Sequence, residues 1–329
     1  ATGERGMRVI EAEDVHRVLE FPALVEALRA AFAAPAGTPR RQVFRLDESD
    51  GTHDAFALLP AWNDEVIGVK AFTYLPGNAA AGRQILHAKI LLFDRPTGRP
   101  LDLVDGTSVT YWRTAAVAAL AADHLARRNA QRLLVCGTGN LGPYMALAHA
   151  AVRPLTDIGI WGRNRDRAAR TVELVQAKRP DLKCRVIDDL ENAARQADII
   201  SCATGAHEPI IFGDWVRPGT HTDFFGNHER TGRECDTELV VKSRVFVDSR
   251  TNVLNEAGEI LIPIAEGRID ADAIVGELAD LCSGAVTGRT SDDEITLFKS
   301  VGTALSDLAT AQLVARRQPA HPQDGSGRP

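Results

Sequence analysis

The most constraining feature of this 329-residue sequence is the segment 137–142, which reads Gly-Thr-Gly-Asn-Leu-Gly. It follows the apolar run Leu133–Cys136, which is typical of a buried strand, and an apolar segment with helical character comes after it. In such a unit the first glycine permits a tight turn, the second lets backbone approach a pyrophosphate, and the third allows close helix–strand contact. The helix N-terminus presents N–H groups to the phosphates. A dinucleotide site is therefore predicted, with a purely structural glycine turn as the alternative. The helix is predicted to start at Gly139. The predicted cofactor contacts in this segment are Gly137, Thr138, Gly139, Asn140, Leu141 and Gly142.

Strand-like and helix-like runs alternate from about residue 131 onward. The further predicted strands are Ile158–Trp161, Cys184–Ile187, Ile199–Ala203, Thr220–Phe225 and Val245–Asp248, with helices over Arg167–Lys178 and Leu190–Gln196. This alternation indicates parallel pairing, so an α/β fold with a doubly wound Rossmann sheet is predicted. We assign residues 129–295 to this domain.

The region before residue 129 has a different pattern. Its predicted elements are a helix over Val15–Ala34 and strands over Ala55–Leu59, Val66–Thr73 and Ala88–Phe93. Strands this close together favour an α+β domain with a largely antiparallel sheet. A last helix, Thr296–Ala315, has an apolar face that needs a partner, so residues 296–329 are assigned to this domain with residues 1–128. The ends, Ala1–Gly6 and Gln318–Pro329, are predicted to be disordered.

Composition and charge argue against several classes of protein. The net charge of −6 provides no basic surface for nucleic acid. There is no run of about 18 apolar residues, so no membrane span is predicted. The five cysteines and nine histidines show no metal-ligand or disulfide spacing. A cytoplasmic enzyme without a metal is the simplest expectation, and a small anionic substrate would need a few well-placed cations.

The end of the second Rossmann strand bears on which dinucleotide is bound. An acidic residue there suits the ribose hydroxyl of NAD, whereas an arginine suits the 2′-phosphate of NADP. The sequence Trp161-Gly-Arg163-Asn164-Arg165 contains no acid. Arg163 and Asn164 are therefore predicted to contact the cofactor, with NADP(H) favoured and NAD(H) possible. If these arginines form only a solvated loop, the choice stays open.

Several motifs resemble those of the ornithine cyclodeaminase/mu-crystallin family. In family order around the glycine loop they are Gly68-Val-Lys70, Thr110-Tyr-Trp-Arg113-Thr114, Trp215-Val-Arg-Pro-Gly219, Cys235-Asp-Thr-Glu-Leu239 and Phe298-Lys-Ser300-Val301-Gly302. The resemblance spans roughly residues 15–315. It implies a homodimer, a first domain that binds substrate, and hydride transfer between a nicotinamide and the Cα of an α-amino or α-imino acid.

The same resemblance assigns roles to individual residues. Arg41, Lys70 and Arg113 would bind the substrate carboxylate, because cations suit carboxylates. Lys70, at the end of an apolar strand, would also be placed for proton transfer. Without the resemblance, a strand-end lysine and surface arginines are the simpler interpretations. The remaining implied contacts are Gly302 for the substrate, and Arg113, Thr114, Thr204, Phe225, Ser300 and Val301 for the cofactor; capping or packing is the alternative for Thr204, Ser300 and Val301.

Two positions depart from the ornithine cyclodeaminases of this family. An aspartate that acts in cyclisation aligns with His228, and a glutamate that meets the ornithine amine aligns near Ala57. His228 is a candidate general acid or base, with a surface-loop histidine as the alternative. Asp54 or Glu229 could replace a missing carboxylate.

The leading hypothesis is therefore an NAD(P)H-dependent imino-acid reductase, such as a pyrroline-2-carboxylate reductase, or an amino-acid dehydrogenase. The alternatives are an ornithine cyclodeaminase, which forms proline and ammonia with catalytic NAD, and a non-catalytic crystallin-like binding protein.

Overall fold

The computed structural model describes residues 6–46 and 54–319. The chain divides into two compact units: residues 1–113 with 303–329, and residues 114–302. Of the two ends predicted to be disordered, only Gly6, Gln318 and Pro319 lie within the described residues. In this part of the chain, no helix combines the length and apolar character that crossing a membrane requires.

In chain order, the helices and strands are β1 (Arg8–Ile10), α1 (Ala12–Val18), α2 (Phe21–Ala33), β2 (Gln42–Arg45), β3 (Ala55–Trp62), β4 (Val66–Tyr74), β5 (Leu86–Asp94), β6 (Pro100–Asp105), α3 (Gly106–Leu125), β7 (Arg132–Cys136), α4 (Gly142–Val152), β8 (Asp157–Trp161), α5 (Arg165–Lys178), β9 (Lys183–Val186), α6 (Leu190–Gln196), β10 (Ile199–Cys202), β11 (His221–Phe224), α7 (Thr237–Val241), β12 (Ser243–Val247), α8 (Arg250–Glu256), α9 (Gly258–Ala265), β13 (Ile274–Glu277), α10 (Leu278–Ser283), β14 (Ile295–Lys299) and α11 (Ala304–Arg317).

The first unit is built on a six-stranded sheet in the order β1-β6-β5-β4-β3-β2. The strands from β2 to β6 pair antiparallel, and β1 runs parallel to β6. Helix α11 packs against β3, β4 and α2. A Cβ atom on Gly68 would lie 2.5 Å from Cδ1 of Leu308, so the absence of a side chain at Gly68 lets α11 approach β4 closely. Lys70 is two residues further along β4 and therefore faces the same helix.

The second unit is an eight-stranded, fully parallel sheet in the order β13-β12-β14-β11-β10-β7-β8-β9. α-Helices connect all successive strands except β10 and β11, which is the doubly wound arrangement. The predicted fold class, a Rossmann sheet plus a largely antiparallel second sheet, is confirmed.

Two predicted helices differ from the structure. The helix predicted over Val15–Ala34 is in fact two, α1 and α2, because Pro22 lacks an N–H and its ring would clash with the carbonyl of Val18 in a continuous helix. The predicted last helix begins eight residues too early (304 − 296): residues 296–299 belong to β14, and α11 starts at Ala304, after the N-cap Thr303. All five residues of β14 are buried between β11 and β12, and this apolar run carries no periodicity to distinguish strand from helix.

The unit boundaries differ from the predicted ones for related reasons. The division falls inside α3, between Arg113 and Thr114, and not at residue 128. The second half of α3 belongs to the second unit, where Arg153 donates to the carbonyl oxygens of Ala122 and Ala126 at 2.9 and 3.0 Å. The other division follows Gly302 and not residue 295, since β14 is a strand of the parallel sheet.

Candidate active site

Lys70 lies in the middle of a buried strand. β4 continues to Tyr74, so Lys70 does not end the strand as predicted; it pairs with Leu59 of β3 and Ile90 of β5. Its side chain is only 3% exposed. Because a buried ammonium is costly unless it is paired, the contacts of this side chain decide its chemistry.

Two groups bind the Lys70 ammonium. Its Nζ donates to Oγ1 of Thr110 at 2.6 Å and to Oδ1 of Asp307 at 3.0 Å. Burial lowers the pKa of Lys70 to about 8; the Asp307 carboxylate opposes this shift, and the positive charges of Arg113 and Arg41 add to it. Such a lysine can donate or accept a proton near neutral pH.

Arg113 approaches the same carboxylate from α3. Its Nε lies 3.0 Å from Oδ1 of Asp307, an ion-pair distance without hydrogen-bond geometry. Arg41 is half-buried before β2, and its charge acts on Lys70. The first unit thus brings the three predicted cations together, and we call Lys70, Arg113 and Asp307 the first-unit cluster.

In the second unit, each glycine of the loop meets a different steric demand. Gly137 has a φ of +135°, and a Cβ there would lie 2.5 Å from the carbonyl oxygen of Ala203. A Cβ on Gly142 would lie 2.7 Å from the carbonyl oxygen of Gly137, whereas one on Gly139 would meet open space. Gly137 and Gly142 thus meet steric limits of the kind predicted for the first and third glycines, and Gly139 leaves open space.

Helix α4 begins at Gly142 and not at Gly139 as predicted. The preceding residues form a turn in which the Gly142 N–H donates to the Gly139 carbonyl at 3.1 Å. The N-cap Leu141 has no side-chain acceptor for the N–H groups of the first helical turn. Phosphate oxygens bind at this position in dinucleotide sites.

The loop after β8 contains Arg163 and Asn164, both exposed. Oδ1 of Asn164 accepts from the Arg167 N–H at 3.0 Å and caps α5, and Arg165 pairs with Asp188. No carboxylate pairs with Arg163 in the described chain, so this guanidinium can meet an external anion.

The ends of β10 and β11 are connected by a buried carboxylate that sequence analysis missed. Oε1 of Glu234 accepts from the Thr204 N–H at 2.6 Å and from its hydroxyl at 2.7 Å, and Oε2 accepts from the Gly226 N–H at 2.8 Å. A Cβ on Gly226 would lie 1.9 Å from the Thr204 carbonyl oxygen, so only glycine fits. Glu234 therefore fixes the two loops that carry Thr204 and the buried Phe225, both predicted cofactor contacts.

Glu234 belongs to a fully buried group with Glu259 and Lys299, which we call the second-unit cluster. Nζ of Lys299 lies 2.9 Å from Oε2 of Glu259 and donates to the Asn227 carbonyl at 2.7 Å. Oε1 of Glu259 accepts from the Glu234 N–H at 3.1 Å. Burial raises the pKa of Glu234 to about 7; Lys299 opposes this shift and Glu259 adds to it.

Ser300, Val301 and Gly302 form a buried turn after β14, and not the start of the last helix. Oδ2 of Asp248 accepts from the Ser300 hydroxyl at 2.6 Å and from the Val301 and Gly302 N–H groups at 3.1 and 2.7 Å. The φ of Gly302 is +85°, which favours glycine. Asp248 thus determines the shape of a segment predicted to contact the cofactor and substrate.

The two positions that depart from ornithine cyclodeaminases differ in burial. His228 is exposed in the loop after Asn227. This exposure agrees with both interpretations of the residue, a surface histidine and an acid–base group on the solvent side. Ala57 is fully buried on β3, where it pairs with Phe72 of β4. Of the other carboxylates considered, Glu229 lies 3.4 Å from His207 on the surface, and Asp54 is half-buried just before β3.

Sequence analysis missed three carboxylates, Asp307, Glu234 and Asp248. Asp307 had a signal, since a lysine inside an apolar strand requires a partner and this aspartate interrupts an apolar helix. Asp248 directly follows the apolar end of β12, at the sheet edge where sites form in α/β folds. Glu234 had no local signal, because its partners Thr204 and Gly226 lie in other loops.

A doubly wound sheet with this glycine loop, in a chain that also carries a buried cation cluster, defines a nicotinamide-dependent oxidoreductase. The match to known proteins is more specific: residues 6–320 match the ornithine cyclodeaminase/mu-crystallin family. The chain belongs to this family, which confirms the predicted resemblance.

Individual relatives agree with this assignment. The chain is 50% identical over 313 residues to the Delta(1)-pyrroline-2-carboxylate reductase of Colwellia psychrerythraea, covering 94% of this chain and 99% of the relative. The solved Delta(1)-pyrroline-2-carboxylate reductase of Thermococcus litoralis, in complex with NADH and L-proline, has a TM-score of 0.89 at 32% identity. The match covers 94% of this chain and 97% of that structure's chain. The iminosuccinate reductase of Paracoccus denitrificans, in complex with NAD+, has a TM-score of 0.85 at 27% identity. This match covers 95% of this chain and 96% of that structure's chain. The prediction of a nicotinamide-dependent oxidoreductase acting on amino or imino acids is confirmed.

Proposed function

We propose that this protein reduces pyrroline-2-carboxylate to proline. The observation that carries the proposal is the buried first-unit cluster, in a chain that is 50% identical to a pyrroline-2-carboxylate reductase. Two cations share one carboxylate, so the cluster has one net positive charge, which matches a single substrate carboxylate.

The donors that remain in the cluster support binding of such an anion. A lysine ammonium has three N–H donors, and Lys70 uses two of them for Thr110 and Asp307. Arg113 faces Asp307 with its Nε, which leaves the terminal nitrogens for a bidentate contact. We propose that Lys70 and Arg113 bind the substrate carboxylate, with Arg41 adding positive charge.

The second unit fits the dinucleotide. The open space at Gly139 and the N-terminus of α4 provide a cradle for the pyrophosphate. We propose that Thr204, Phe225 and the segment 300–302 shape the nicotinamide end, and that Thr114 also contacts the cofactor. When bound, the reduced nicotinamide supplies a hydride for the imine carbon.

Lys70 is the proposed proton donor. Reduction of the C=N bond requires a proton at nitrogen, and a lysine with a pKa of about 8 is protonated at neutral pH yet releases its proton readily. Reduction should therefore slow as pH rises through about 8. Oxidation of proline needs the neutral amine and should speed up over the same range. His228 is the alternative donor, and its replacement by alanine would leave the rate unchanged if Lys70 acts.

We further propose that the enzyme uses NADPH at least as well as NADH. Support comes from the exposed Arg163 and from the absence of an acid at the end of β8. Replacing Arg163 by alanine should raise the KM for NADPH and leave the KM for NADH nearly unchanged. An equal effect on both coenzymes would contradict a contact with the 2′-phosphate.

A homodimer is proposed as well. Strand β2 is an edge strand whose Val43 and Phe44 are 56% and 48% exposed, and such an apolar edge suits pairing with a second copy. Light scattering on the purified protein, compared with Phe44→Lys, tests this.

The test of function follows the absorbance of NADPH or NADH with pyrroline-2-carboxylate, in parallel with L-ornithine plus NAD+. Loss of reduced coenzyme with formation of proline supports the reductase. Formation of proline and ammonia from ornithine, without net change in coenzyme, would identify a cyclodeaminase. Binding of coenzyme without turnover of either substrate would point to a crystallin-like binding protein.

A further inference from the structure

Asp307 is the carboxylate that faces Lys70 within the described chain. The charged groups around the ammonium come from three places: Asp307 on α11, Arg113 on α3, and Arg41 before β2. The residues that pair with Lys70 on the neighbouring strands β3 and β5, Leu59 and Ile90, are aliphatic. Among the described residues, Asp307 is therefore the negative charge that acts on the Lys70 ammonium.

Within the described residues, Lys70 and Arg113 are the polar partners of the Asp307 carboxylate. Its Oδ1 lies 3.0 Å from both Nζ of Lys70 and Nε of Arg113. Its Oδ2 is buried and makes no hydrogen bond within the residues described, and the side chain is 2% exposed. A change at this carboxylate consequently acts on Lys70 and Arg113 before anything else.

We propose that Asp307 is a positioning residue of the reduction, which keeps Lys70 protonated and orients both cations on one shared oxygen. Like charges at close range disfavour the protonated form of a buried lysine, and an opposite charge counters this. Without the carboxylate, Lys70 loses its proton at a lower pH, and Arg113 is no longer held beside it. This inference rests on the proposed function, in which Lys70 is the proton donor.

The primary test is the pH profile of kcat/KM for Asp307→Asn, a variant of nearly unchanged shape. The basic limb of the wild-type profile is expected near pH 8, the pKa of Lys70. In the variant it should move down by about one unit or more. The plateau should fall roughly 10- to 100-fold, as expected when reacting groups are displaced. A lower plateau with an unmoved limb would mean that Asp307 supports only the fold.

Thr110→Val is the matched control. It removes the other hydrogen-bond partner of Lys70 without changing any charge. Its plateau should fall, and its basic limb should move down less than that of Asp307→Asn, because no charge is lost. A limb that moves equally in both variants would overturn the role of the Asp307 charge.

Arg113→Met covers the case in which the asparagine variant does not fold. With the direct repulsion by this cation removed, the pKa of Lys70 should rise above that of the wild type. Adding Asp307→Asn to Arg113→Met should lower it again, and an equal Lys70 pKa in the single and double variants would overturn the role of the Asp307 charge.

NMR titration of the lysine 13Cε signals measures the same pKa without turnover, with Lys70→Met to assign the Lys70 signal. If the wild type does not reduce pyrroline-2-carboxylate, the proposed function fails. The titration still decides whether Asp307 controls the protonation of Lys70, so the two failures are distinguishable.

Discussion

The two buried charge clusters have opposite charge balance. In the first unit, the cations Lys70 and Arg113 share one carboxylate. In the second unit, the carboxylates Glu234 and Glu259 share one cation, Lys299.

The surroundings of the two clusters explain how each tolerates its surplus charge. The extra carboxyl group in the second unit, Glu234, accepts hydrogen bonds from the Thr204 N–H, the Thr204 hydroxyl and the Gly226 N–H, so its partners are internal. The first-unit cations retain donors that the described residues do not use, so their surplus charge is available to a ligand. Buried charges thus hold loop geometry in the second unit, whereas in the first unit they are proposed to bind the substrate.

The largest expected effect is that of Lys70→Met. This variant keeps the length of the side chain but removes the proposed proton donor and one carboxylate contact, so kcat/KM should fall about 1,000-fold or more. Steady-state kinetics under saturating coenzyme measures this, with thermal melting to verify the fold. Lys89→Met, at a 42% exposed lysine on the neighbouring strand β5, is the control and should retain activity. Comparable activity in both variants would remove Lys70 from the mechanism.

The second-largest expected effect is a loss of stability in Glu259→Gln. The substitution removes the carboxylate that lies 2.9 Å from the buried Lys299 ammonium, which keeps the Asn227 carbonyl and the more distant charge of Glu234. Breaking a buried pair costs about 3 kcal/mol or more. The free energy of unfolding in urea measures the loss. Glu238→Gln breaks an exposed pair with Arg268 and should change stability far less. Equal losses of stability in the two variants would show that the buried pair contributes no more than the exposed pair.

Glu234→Gln should weaken coenzyme binding roughly 10- to 100-fold. The amide group would face a backbone N–H of Thr204 or Gly226, and one unmade buried hydrogen bond costs about 1–3 kcal/mol. NADH fluorescence titration gives the Kd directly, again with Glu238→Gln as control. An unchanged Kd would mean that these loops do not shape the coenzyme site.

The smallest expected effect is a pH dependence of stability that comes from Glu234. Its pKa is raised to about 7 in the folded protein, so its contribution to stability is complete below its unfolded pKa and is lost as pH rises through about 7. Linkage gives a loss of about 1 kcal/mol between about pH 6 and pH 7. The difference between wild type and Glu234→Gln, measured by urea unfolding at both pH values, isolates this contribution. A difference that does not change with pH would contradict the raised pKa.

Prediction from sequence succeeded where the signal is local. The glycine loop and the strands β3, β4, β7 and β8 were found because glycine spacing and apolar runs report the conformation of their own segment. β14 was taken for helix, since a short buried run has no periodicity to identify it. Pro22 carried the signal for the break between α1 and α2, but the apolar spacing on both sides obscured it.

The sequence by itself indicated the Rossmann unit, through its glycine motif and alternating elements, and the family resemblance marked the cations Arg41, Lys70 and Arg113 as candidate ligands. Tertiary structure alone decided what those cations pair with. Asp307 is 237 residues from Lys70 along the chain, and Glu234 is 30 residues from Thr204. A buried charge requires a partner, but any acidic residue can be that partner in the sequence, and only the packing of α11 on β4 selects Asp307.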